Sequence, residues 1–163
     1  MNSEGDGIDS NGSMLISGGE VYVAGPTSGA NAALDADGSI IVNGGYLFAV
    51  GLIGMVETPA SNSQQNVVSF ARSAAIAAGT NISLADREGN AIFSFTTPKD
   101  CQSVIISCPE LLDSESYSIY GGDSQLCTFT VTQTITSVGS SGGIGNPGGN
   151  PPGGSRPGGP FGR

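Results

Sequence analysis

Four polar side chains recur in a pattern suited to holding a metal ion. Asp9 and Asn11 stand in the turn Ile8-Asp9-Ser10-Asn11-Gly12-Ser13, and 26 positions later Asp35 and Asp37 stand in Leu34-Asp35-Ala36-Asp37-Gly38-Ser39. Carboxylate, amide and backbone carbonyl oxygens are the ligands calcium collects, roughly six to eight at a time. If the two turns stack at a strand spacing of roughly 4.8 Å, Asp9 faces Asp35 and Asn11 faces Asp37. Two carboxylates about 5 Å apart repel by about 3 kcal/mol at an effective dielectric near 20, and by about 1 kcal/mol when well solvated. A shared cation removes that cost. The competing chemistry is turn capping, in which each side-chain oxygen accepts the amides of its own corner. The residues alone leave both open.

Carboxylates about 5 to 5.5 Å apart also match the pair used by retaining glycosidases. Here stacking produces that spacing automatically, and the repeat region contains no Lys, Arg or His to act as a base beside it. The expectation is a binding site and no enzyme.

The elements that would position these turns repeat with them. Each unit has an acidic turn and an apolar run (Met14-Leu15-Ile16, then Ile40-Ile41-Val42). A Gly-Gly corner (Gly18-Gly19, then Gly44-Gly45) leads to a second apolar run (Val21-Tyr22-Val23, then Leu47-Phe48-Ala49). Runs this short and β-branched between glycines read as strands. A period in the twenties reads as stacked units, so the pattern predicts the rungs of a parallel β-helix, or solenoid, over residues 1–56. Alternation turns Met14, Ile16, Val21 and Val23 inward with Ile40, Val42, Leu47 and Ala49. Leu15, Ile41, Tyr22 and Phe48 then form an outward apolar stripe. Another part of the chain, a second chain or a sugar face would cover it.

Residues 57–66 are polar and read as a linker loop. Beyond them the period changes, with strand candidates at 67–70, 81–85, 91–96, 103–107, 117–120 and 128–132. Turn signals fall at Asp86-Arg87-Glu88-Gly89-Asn90 and Gly121-Gly122-Asp123. Residues 67–138 are therefore expected to form a small antiparallel β cap over the last rung, with a turn of helix in the alanine-rich stretch 71–78. Residues 139–163 form a Gly/Pro-rich tail with too little apolar surface to offset its ordering entropy. The chain as a whole reads as all-β.

Composition narrows the partners. The 163 residues include 27 Gly, 9 Pro and neither Trp nor His, and carry a net charge of -9. All 14 acidic residues precede position 139, where only Arg72, Arg87 and Lys99 oppose them, a net of about -11. That disfavours nucleic acid and anionic membrane surfaces and suits metal cations. No apolar run approaches membrane-spanning length, so no membrane insertion is expected. The N-terminus lacks the basic and apolar regions of a secretory signal, which fits either a cytosolic protein or a piece of a longer exported one. Three cysteines do not make a disulfide framework. Cys101 and Cys108 would lie too far apart along one strand to bridge, leaving Cys127 to pair with one of them.

These residues carry a family resemblance. The run Gly5-Asp6-Gly7-Ile8-Asp9-Ser10-Asn11-Gly12-Ser13 is followed by Ile16-Ser17-Gly18-Gly19, Val21-Tyr22-Val23, Gly25-Pro26-Thr27-Ser28 and Ala33-Leu34-Asp35-Ala36-Asp37-Gly38. It resembles the C-terminal part of the bacterial carbohydrate-binding-domain-containing proteins. The likeness continues through Gly54-Met55, Ala78-Gly79-Thr80, Phe95, Lys99, Gln102-Ser103 and Ser107-Cys108-Pro109 into the tail. The resemblance implies a fold similar to polysaccharide-lyase β-helices and a non-catalytic, calcium-containing module of secreted or cell-surface proteins that binds acidic polysaccharide such as polygalacturonate. It makes Asp9, Asn11, Asp35 and Asp37 the metal-associated positions. Asp6 fits less well, because its repeat mate is Ala32.

The expected function is thus recognition of acidic polysaccharide aided by calcium, with Tyr22, Tyr46 and Phe48 offering apolar sugar contact. Bridging cations are needed because the chain itself would repel a polyanion. The rival expectation is a structural protein. Self-association through an open β-helix end, the tail and the stripe of Leu15, Ile41, Tyr22 and Phe48 would build an extracellular filament.

Overall fold

The computed structural model describes residues 1–28 and 31–139, so the expectation for the tail lies, apart from Gly139, outside the described residues. Eleven strands are formed among them: β1 (Ile8–Ser10), β2 (Met14–Ala24), β3 (Leu34–Ala36), β4 (Ile40–Gly51), β5 (Val67–Ile76), β6 (Asn81–Ala85), β7 (Ala91–Thr96), β8 (Cys101–Ser107), β9 (Ser116–Gly121), β10 (Ser124–Thr130) and β11 (Ile135–Gly139). A 3-10 turn over Ile53–Met55 follows β4. The strands form a two-stranded sheet β1-β3, a five-stranded sheet β11-β5-β8-β4-β2 and a four-stranded sheet β10-β9-β6-β7.

The repeat is expressed as parallel pairing in register. Ile8 lies opposite Leu34 and Asp9 opposite Asp35, and along β2 and β4 Met14 meets Ile40, Ile16 meets Val42 and Val21 meets Leu47. Between the two halves of β2 and β4 the register breaks at the Gly-Gly corners. Gly19 and Gly45 have φ of 78° and 88° there, a conformation that a Cβ penalises.

The expected parallel β-helix is not formed. The parallel arrangement ends at two units, because β8 runs antiparallel along the second half of β4, from Leu47 opposite Ser107 to Gly51 opposite Ser103. β5 then runs antiparallel to β8, and β11 parallel to β5. The sheet is mixed and open. The physical reason lies in β8, whose Val104-Ile105-Ile106 core is buried on both faces and therefore needs a central place with paired edges. The first half of the same β4 flank is closed by the polar loop. Ala60 N–H donates to the Ile40 carbonyl, Gln64 and Gln65 N–H to that of Val42, and Val42 N–H to Ser63 Oγ.

The cap is corrected in the same way. β5 and β8, expected in a separate antiparallel unit, belong to the sheet that holds the repeat, and only β6, β7, β9 and β10 form an antiparallel layer of their own. That layer covers one face of the large sheet. Phe48, Val50, Val68, Phe70, Val104 and Ile106 pack there against Ile82, Leu84, Tyr117, Ile119 and Phe129. On the opposite face Met14, Ile16, Val23, Ile40, Val42, Leu47 and Ile105 pack with Leu34 and Ile8 of the small parallel pair. Residues 71–78 are not helical, since β5 continues to Ile76 across an irregularity after Ala71. The hairpin turns fall where glycine marks them, with Gly89 and Gly122 at φ of 87° and 58°. All three cysteines are free, so the expected pairing of Cys127 is absent.

Candidate functional site

The parallel register of β1 and β3 sets Asp9 opposite Asp35 and leaves Asp37 just past the strand end, where its N–H donates to the Ser10 carbonyl. Asp9, Asn11 and Asp37 are exposed and Asp35 is half-buried. The residue that sequence reasoning missed is Glu57. Its Oε2 accepts the Ala36 N–H at 3.0 Å, which brings a third carboxyl beside the second acidic turn. Burial raises the Glu57 carboxyl above the usual carboxylate range, and the charges of Asp35 and Asp37 push it the same way, against the lowering effect of the Ala36 amide. A lone acidic residue in a segment read as a linker carries no sequence signal for this placement.

Turn capping, the competing chemistry, is present at Asp86, while Asp6 and Asp100 accept amides of segments distant in sequence. Asp6 accepts the Ala32 N–H at 2.7 Å, which explains a carboxylate whose repeat mate is alanine. Asp86 accepts the Asn90 N–H in the β6–β7 turn and Asp100 accepts that of Ala78. Hydrogen bonding holds the Asp86 carboxyl below its ordinary value, that of the Asn90 side chain first.

The oxygen-rich donor set suits a hard cation. Among the described residues, however, no three acidic, cysteine or histidine side chains are gathered closely enough to enclose an ion. A recess of about 10 Å³ lined by Leu34, Leu52, Val56 and Glu57 has room for about one water and admits no sugar.

No protein family, characterised protein or solved structure matches this chain. The site therefore stands on its own geometry.

The aromatic residues are placed differently from expectation. Phe48 is 0% exposed, and its ring lies 5.5 Å from that of Phe93 and 4.9 Å from that of Phe95. It is available neither to a sugar nor to a second chain. Tyr22 is stacked on Phe93 and Phe95 at 5.7 and 5.4 Å, and Tyr46 on Phe93 at 5.9 Å. Their hydroxyls donate to Glu20 and Glu110, at 3.2 and 2.7 Å. Both tyrosines are half-buried. They belong to the core between the large sheets, whereas Ile8 and Leu34, beside the acidic pair, belong to the core on the other face. The acidic turns and the aromatics are thus not one composite site. The apolar stripe is divided as well: the second sheet covers Tyr22 and Phe48, Ile41 is half-buried, and Leu15 is 63% exposed.

Lys99 is the other residue whose role the sequence does not announce. Its ammonium group reaches back across the molecule to donate to the Ser3 carbonyl and to pair with Glu4 at 2.9 Å, fastening the N-terminal segment to the turn before β8.

Proposed function

We propose that this chain is a non-catalytic module of the cell exterior that binds acidic polysaccharide through calcium ions at the paired acidic turns. The observation that carries the reading is the opposition of Asp9 and Asp35, with Glu57 drawn in beside Asp35 and Asp37. Such a cluster is destabilised by its own charge and gains from a divalent cation. An ion seated there has too few protein ligands by itself, so the carboxylates of a uronate chain and water complete its shell. The charge balance supports the same reading, since the strongly acidic chain attracts polyanions only through cations. The aromatic residues take no part in it. Because no three of these side chains enclose an ion among the described residues, Asp9, Asp35, Asp37 and Glu57 act as partial ligands beside those of the polymer, and Asn11 adds an amide oxygen at the rim.

Calorimetric titration with calcium, followed by polygalacturonate in calcium and in chelator, tests it. The reading requires binding heat with calcium, retention of the polymer only while calcium is present, and loss of both in Asp35→Asn. Polymer binding that survives chelator, or no heat with calcium, would sink it.

A further inference from the structure

The first acidic turn carries a reactive pair besides its carboxylate. The sequence holds two Asn-Gly pairs, Asn11-Gly12 and Asn43-Gly44. In such a pair the glycine amide nitrogen reaches the side-chain carbonyl carbon of the asparagine more readily than any other residue's would, because no Cβ shields it and the backbone rotates freely toward it. Whether that attack happens in the folded chain depends on what holds each pair. The two pairs meet opposite surroundings.

Asn11 and Gly12 are exposed in the bend between β1 and β2. The Ser10 carbonyl accepts the Asp37 N–H and the Gly12 carbonyl that of Gly38, at 3.0 and 2.9 Å, but among the described residues neither the Asn11 side chain nor the Gly12 N–H has a hydrogen-bond partner. A Cβ at Gly12 would meet nothing within 4 Å, so the nitrogen is uncrowded. Asn43 instead lies inside β4, where its Oδ1 accepts the Gln64 N–H at 3.1 Å. Gly44 is paired opposite Ser17, and a Cβ there would lie 3.1 Å from the Ser17 carbonyl oxygen. Turning the Gly44 nitrogen onto the Asn43 side chain would break that ladder. The repeat supplies an independent observation. The mate of Asn11 is Asp37, so the second unit already folds with a carboxylate at this position of the turn.

We infer that Asn11-Gly12 is a site of self-modification, at which the folded chain deamidates Asn11 with water as the only co-reactant while Asn43-Gly44 is protected. The Gly12 nitrogen gives its proton to hydroxide and bonds to Cγ of Asn11. The bond from Cγ to the side-chain nitrogen then breaks, and that nitrogen takes up a proton and leaves as ammonia. Water opens the resulting succinimide ring at either carbonyl, which yields aspartate or isoaspartate. One water is consumed and one ammonia released, with no change of oxidation state. Each event adds one negative charge to the turn level with Asp37. The aspartate product gives the first unit the Asp-x-Asp-Gly turn of the second, and the isoaspartate product lengthens its backbone by one carbon. The modification does not depend on calcium or sugar.

The test holds the full chain in mildly alkaline buffer, separates charge forms by anion exchange, and maps their peptides by mass after digestion at acidic pH, where the attack stalls. A more acidic form accumulates, and the peptide that contains Asn11 gains about 1 Da. In the native chain Asn11 converts about tenfold faster than Asn43 or more, and in denaturing urea the two rates converge, because the ladder no longer holds Asn43. Gly12→Ala, whose Cβ enters open space, keeps the melting temperature and slows conversion at Asn11 about tenfold. The inference fails if native Asn11 converts no faster than Asn43, or if the gain in mass falls on another asparagine. It also fails if Gly12→Ala converts as fast as the unaltered chain, which would assign the loss of ammonia to direct hydrolysis.

Discussion

The rings of Phe48 and Phe95 lie 4.9 Å apart, tilted by 43°, and join the second repeat unit to the antiparallel sheet. Phe48 comes from the repeat and Phe95 from β7, far along the chain, so this contact ties together two regions that sequence patterning separates. Truncation to Phe48→Ala leaves a cavity at the centre of that layer and costs about 3 to 5 kcal/mol. Urea denaturation should show a large fall in midpoint with little change in slope. A loss near zero would mean that the layers do not depend on this contact.

Glu57 gives the chain a defined pH response. Burial, reinforced by Asp35 and Asp37, raises its folded-state pKa, so the folded form holds the proton more tightly than the unfolded one. Its contribution to stability is therefore full below the unfolded value of about 4.3 and is lost as pH rises through the folded value. Glu57→Gln removes the charge while its amide oxygen can still accept the Ala36 N–H. The variant should match the wild type near pH 3.5 and be the more stable at pH 7 in the absence of calcium. Denaturation midpoints across that range measure the crossover, and a variant less stable at pH 7 would contradict the sign.

Gly45→Ala should be among the most damaging small substitutions. The position combines φ of 88° with a Cβ that would lie 2.6 Å from the Gly19 carbonyl oxygen, so a loss of about 2 kcal/mol or more is expected. Gly54→Ala, where nothing lies within 4 Å, serves as the control in thermal denaturation.

The thiols should be quiet. Burial pushes Cys101 up to about 11 and Cys108 to about 12, and it raises Cys127 as well. At pH 8 a thiol-specific reagent should leave Cys101 and Cys108 unmodified in the native chain, with any slow labelling confined to half-buried Cys127. All three react once the chain is unfolded. Rapid native labelling of Cys101 or Cys108 would show that the layers open readily.

Local order was largely legible in the residues, and long-range order was not. The 26-residue spacing did announce the opposition of Asp9 and Asp35, and alternation along Val21-Tyr22-Val23 assigned Tyr22 to the other face from Val23. Glycine marked the β6–β7 and β9–β10 turns. Periodicity says nothing about which distant strand takes a free edge. The insertion of β8 between β4 and β5 therefore overturned the solenoid, and β11 went unforeseen. Phe48 points outward from its unit, as alternation has it, and of the three covers expected for that stripe another part of the chain, the second sheet, is the one found there. At the acidic turns spacing announces the pairing of Asp9 with Asp35, whereas Glu57 arrives by a backbone hydrogen bond that composition does not encode.

The loop that closes the first half of β4 has the composition of a spacer, yet through Ala60, Ser63, Gln64 and Gln65 it occupies the hydrogen-bonding groups that a further parallel strand would need. The pair of repeat units is accordingly a terminus with a direction. Among the described residues, stacking beyond β4 is therefore closed off by the chain itself, by this loop along the first half and by β8 along the second.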